Sequence, residues 1–216
     1  MEELSLVSDE ELLTDSLLSR IARQVGMRIV DVYLVAGRAA PLDELPFDKG
    51  SERELPRLVM HALRLSSLDR QRLRNFSLTL PRLQSGISIE WHRLYAQYPP
   101  GFGSLLVQML AVRNMGWSSG AKVIYRMSGI YLSPATIGAI GRGVKDLDPE
   151  LLNGFAAVLG VPIDVLESLT DIPCGARRQP LSEEITDTAS LIWDVRHLAA
   201  EHVRSLSQLA NRMNGS

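Results

Sequence analysis

The chain has 216 residues, a formal charge of −2, 45% hydrophobic and 22% charged residues, and one cysteine. That length holds one large domain or two small ones, and no apolar run reaches the roughly 18 residues that cross a bilayer. Met1-Glu2-Glu3 is acidic and no apolar core follows it, which is not the pattern of a secretory signal. With Cys174 alone there is no internal disulfide, so a reducing, cytoplasmic setting with no membrane partner is expected.

Apolar residues recur at three- and four-residue spacing and alternating β-branched runs are nearly absent, so the chain reads as all-α. The spacing predicts helices near 9–25, 28–37, 52–64 and 67–80, then 104–115, 118–128, 133–142, 148–159 and 162–170, then 183–197 and 199–213. Ser8 with Glu11 and Ser51 with Glu54 have capping-box spacing. Ser133-Pro134 and Asp148-Pro149 each set a cap residue before a proline at the first helical position. Segments 83–103 and 173–181, both rich in Pro and Gly, read as linkers.

The chain repeats itself. Leu17-Leu18 through Gly26 matches Leu151-Leu152 through Gly160, and Ile29 matches Ile163 at the same offset. With one gap, Leu58-Val59-Met60 falls on Leu191-Ile192-Trp193, Leu65 on Leu198, Leu73 on Leu206 and Phe76 on Leu209. Two related units result, 9–82 and 148–213, each a helix-Gly-helix pair followed by a helical hairpin. Their apolar residues imply either a core within the chain or a dimer interface.

Charge is unevenly spread. From Trp91 to Lys145 there is no acidic residue, while Arg93, Arg113, Lys122, Arg126, Arg142 and Lys145 are basic. From Asp146 to Asp171 the pattern inverts, with six acids and no Lys or Arg. An acid-free segment presents a positive face to phosphate even in a nearly neutral chain. Helix 104–115 is expected to stop at Gly116, with Arg113 and Asn114 beyond its apolar face. Helix 118–128 buries Val123, Ile124 and Met127 and leaves Lys122 and Arg126 to solvent.

Ser133-Pro134-Ala135-Thr136-Ile137-Gly138-Ala139-Ile140-Gly141-Arg142-Gly143 resembles the recognition-helix motif of the Cro/C1 (XRE) repressor family. Without a gap, Leu152, Phe155, Ala156, Leu159, Gly160, Val161, Ile163, Asp164 and Leu166 fall where that family has its next helix, its Leu-Gly-Val turn and its final helix. Met115-Gly116-Trp117-Ser118 is similar to the family's entry to its second helix. The resemblance implies a helix-turn-helix domain at 104–172, preceded by an N-terminal helical unit at 1–82 and a linker at 83–103, and followed by a helical hairpin at 173–216.

The resemblance also implies a DNA-binding transcriptional regulator, acting on double-stranded DNA as a homodimer, with helix 133–142 in the major groove. It places Ser133, Ala135, Thr136 and Ala139 on the groove side, Ser119 where a residue braces the DNA backbone, Arg142 where a residue supports the fold or contacts phosphate, and Lys145 near phosphate. Lys122 and Arg126 add positive charge on the preceding helix. The turn from Gly129 to Ser133 is longer than the motif's, Gly138 lies inside the helix, and its outward face lacks the Arg, Gln and Asn that read bases bidentately. An alternative is therefore a protein interaction module, a repressor-like fold without DNA readout that binds another regulatory protein.

No catalytic constellation stands out. His197 and His202 are five apart and share no helix face, so no metal site is expected, nor any cofactor. Gly138, Gly141 and Gly143 follow no strand and do not make a phosphate loop. Trp91, Trp117 and Trp193 read as packing residues, and Cys174 as a plain loop thiol.

Overall fold

The computed structural model describes residues 14–39, 41–46, 48–83, 98–178 and 180–215. Among them the chain is all-helical, with eleven α-helices and no strand. They are α1 (Asp15–Val25), α2 (Ile29–Val35), α3 (Leu55–Ala62), α4 (Ser67–Thr79), α5 (Phe102–Ala111), α6 (Trp117–Ser128), α7 (Pro134–Gly141), α8 (Pro149–Leu159), α9 (Ile163–Thr170), α10 (Glu183–Val195) and α11 (Ala200–Met213). No described helix is long and apolar enough to cross a membrane. Every helix expected from the spacing has a counterpart.

Local chemistry sets several of the ends. Thr14 caps α1 through Leu17 N–H, while the Ser8/Glu11 box lies outside the described residues. Ser133 and Asp148 accept from Thr136 N–H (3.1 Å) and Leu151 N–H (2.8 Å), each with the expected proline following. The Ser51/Glu54 box does not form. Ser51 sits in a 3-10 turn, its hydroxyl bound by Asn114 and donating to Asp48 C=O, and Glu54 takes Arg204 instead. Gly116 does not end α5 either. The chain turns at Asn114, a non-glycine residue at φ 59°, held there because its buried carboxamide donates to Asp48 C=O (2.8 Å) and Ser51 Oγ. Gly116 instead precedes α6 as its N-cap.

Matched positions of the two units have similar local structure. α1 and α8 are both 11 residues long, and each ends in a left-handed glycine, Gly26 (φ 71°) and Gly160 (φ 64°), before α2 and α9. The hairpins α3–α4 and α10–α11 pack crosswise, α3 along α11 and α4 along α10. Leu58, Val59, Leu65 and Leu73 are buried there, as are their counterparts Leu191, Ile192, Leu198 and Leu206. The apolar hairpin residues thus chiefly form a core within one chain, and the large ones left exposed are Leu68, Phe76 and Leu78 of α4.

One hydrophobic core runs from Leu18 of α1 to Ala210 of α11 and includes Leu106, Met109, Ile124, Ile137, Ile140 and Phe155 of α5–α8. At its junction lies a buried ion pair. Arg113 grips Asp31 of α2 with both Nη atoms (2.8 and 2.6 Å) and also donates to Met109 C=O (2.9 Å) and Leu159 C=O (3.0 Å). Both side chains are almost wholly shielded, and Trp193 of α10 lies 5.3 Å from the guanidinium. Arg113 is therefore no surface charge, contrary to its place beyond the apolar face in the sequence reading. It ties the N-terminal pair to α5, α8 and α10.

Candidate nucleic-acid interface

Helices α5 to α9 carry the segment that the motif singled out. α7 packs against α5 and α6, and α6 against α8. The α5–α7 approach depends on Gly103, where a Cβ would stand 2.3 Å from Ile140 C=O. Gly138 is explained the same way. An added Cβ would meet the Trp117 ring at 2.9 Å, so the helix-propensity cost of about 1 kcal/mol is accepted to seat that ring. Tyr98 covers Gly141 in turn and accepts a hydrogen bond from Trp117 Nε1 (3.1 Å). Trp117 is thus a packing residue, as expected.

The motif residues of α7 fall into two groups. Pro134, Ala135 and Arg142 are exposed, with Thr136 and Ala139 half-buried beside them. Ser133 and Thr136 are turned toward each other (Oγ to Oγ1, 2.9 Å), because Ser133 is the cap and its hydroxyl serves the first turn. Their hydroxyls are therefore not free for a base edge without a change of partner. Arg142 lies over the Trp117 ring at 5.4 Å. Lys145 is 3.8 Å from Asp148, at the edge of the acidic segment.

On α6, Lys122 is exposed and Arg126 half-buried, its guanidinium near Lys122 C=O (3.4 Å). Two residues that the sequence reading passed over stand nearby. Tyr125 and Tyr131 flank the Gly129 turn edge to face, with centroids 6.2 Å apart, and are 53% and 81% exposed. Their spacing across a glycine in an acid-free stretch was the available signal.

Ser119 is not part of this surface. It is buried, and its hydroxyl donates to Glu52 Oε1 (2.7 Å) and contacts Gly116 C=O. The same Glu52 oxygen accepts Gly116 N–H (3.0 Å) at the start of α6. A carboxylate of the N-terminal unit therefore sits where a backbone-bracing contact was expected. Nothing in the spacing of Glu52 links it to Gly116, because the pairing depends on the fold of 48–54 against the α5–α6 turn.

Elsewhere the described residues hold no group of three His, Cys, Asp or Glu placed for a metal ion. Cys174 is buried, and burial with the Glu167 carboxylate beside it pushes its thiol pKa up. Comparison with protein-family models, with curated proteins and with solved structures found no match.

Proposed function

We propose that the chain is a DNA-binding regulator of the Cro/C1 type, which offers the exposed edge of α7 to the major groove of double-stranded DNA. One observation carries this reading. The exposed Pro134, Ala135 and Arg142 of the α7 segment, and Lys122, Arg126, Tyr125 and Tyr131 of the α6 segment, belong to two helices that pack together in a stretch with no acidic residue from Trp117 to Lys145. Such a surface attracts phosphate without a repelling carboxylate of its own. Ala135 and the Thr136 methyl suit thymine methyls, and with no bidentate base reader on α7 the remaining specificity comes from DNA shape.

Homodimerisation, implied by the resemblance, falls to the exposed Leu68, Phe76 and Leu78 of α4, since most other hairpin apolar residues are used within the chain. The test is a salt-titrated shift assay on sites selected by genome-wide binding. Arg142→Glu with Lys122→Glu is expected to abolish retention while leaving helicity intact. Unchanged affinity in that variant refutes the reading.

The Glu52 contact favours a second reading, an interaction module whose repressor-like helices bind another regulatory protein. Glu52 places a carboxylate at the head of α6, which phosphate would otherwise approach. On that reading the wild-type chain retains no DNA at low salt.

A further inference from the structure

A groove of about 590 Å³ opens between the segment after α2 and the outer side of α5. Its size falls within the roughly 300–1,000 Å³ of small-molecule sites. Leu45, Leu105 and Val112 supply apolar walls. Two polar side chains meet within it. Gln108 Nε2 donates to Ser104 Oγ (3.0 Å), and Ser104 is buried. That bond leaves the Gln108 carboxamide oxygen and the Ser104 hydroxyl proton with no partner among the described residues. One acceptor and one donor thus stand side by side against an apolar wall.

Charge narrows the occupant further. No described lining residue is acidic, and the charged one, Arg38, is held by Asp15 (3.1 Å) and lies over the Tyr33 ring (4.9 Å). Its charge is already answered, so the described lining offers no net charge to an incoming ion. We propose that this groove binds an uncharged, mostly apolar small molecule bearing one hydrogen-bonding group, which the Gln108–Ser104 pair receives. Tyr98 lines the same groove while bonded to Trp117 and covering Gly141 of α7. The site does not rest on the DNA-binding reading, and its test uses no DNA.

The probe is N-phenyl-1-naphthylamine, a neutral aromatic molecule with one N–H, titrated into the full chain by fluorescence. Saturable binding of one molecule per chain is expected. Gln108→Trp fills the groove and is expected to remove that binding, and Gln108→Leu to weaken it about five-fold, the weight of one neutral hydrogen bond. Ser205→Trp, at an exposed position of α11 outside the groove's lining, is expected to leave it unchanged. The sulfonated analogue 8-anilinonaphthalene-1-sulfonate is expected to bind at least about ten-fold more weakly, as charge is disfavoured against an apolar wall. Absence of saturable binding by wild type, or unaltered affinity in a folded Gln108→Trp, overturns the site. If Gln108→Trp does not fold, unaltered affinity in Gln108→Leu does so. Sulfonate binding as tight as the neutral probe overturns the assignment of an uncharged ligand.

Discussion

Replacing Asp31 by Asn keeps the shape of the α2–α5 junction and removes its negative charge. Arg113 then keeps two carbonyl partners, Met109 and Leu159, and loses its charge-balancing one. Both members of the pair are almost fully buried, so solvent cannot replace the lost carboxylate. Breaking such a pair from one side costs about 3–5 kcal/mol. For a chain of this size 1 kcal/mol moves Tm by roughly 2–4 °C, which gives a fall of about 12 °C, read by far-UV circular dichroism with urea unfolding as a second measure. The double variant Asp31→Leu with Arg113→Met replaces two charges by apolar groups and is expected to recover more than half the loss. A fall of less than about 3 °C for Asp31→Asn, or a double variant no more stable than the single, refutes the view that this pair joins the N-terminal pair to the rest of the core.

The other predictions concern the α6–α7 region and the buried histidines. Glu52→Ala strips the acceptor from Gly116 N–H and Ser119 Oγ and should cost about 1–2 kcal/mol, measured by urea unfolding. Ser119→Ala should leave DNA retention within about two-fold of wild type, because that hydroxyl is engaged inside the protein rather than at its surface; a neutral buried hydrogen bond of this kind affects stability instead. Gly103→Ala puts a methyl 2.3 Å from Ile140 C=O and should lower stability by about 2 kcal/mol or more as α5 and α7 are forced apart. Burial and neighbouring arginines hold the pKa values of His197 and His61 below 6.5. The unfolded chain binds these protons more readily, so their stabilisation is complete above the unfolded value and is lost as pH falls through the folded ones. Tm should therefore drop on acidification below about pH 6.5, and His197→Gln should flatten that drop.

The pattern of apolar spacing marked the eleven helices, since each helix must bury one stripe. Ser133-Pro134 and Asp148-Pro149 act within a single turn, which is why they were legible without tertiary knowledge. The helix ends at Gly26 and Gly160 were legible for a related reason: both are left-handed turns that glycine adopts without strain. Signals of this kind fail where a distant group competes for the same atoms. Ser51 is a good cap by type, but Asn114, 63 residues away, claims its hydroxyl. Arg113 lies beyond an apolar stripe in the chain, but Asp31, 82 residues away, pairs with it in the core. Ser119 stands at a backbone-bracing position of the motif, but Glu52, 67 residues away, takes its hydroxyl. The sequence by itself thus settled which segments are helices and which stretch is free of acid. Only the tertiary structure decided which of its polar groups face solvent, because burial and hydrogen-bond partnership depend on what the fold brings alongside and not on neighbours in the chain.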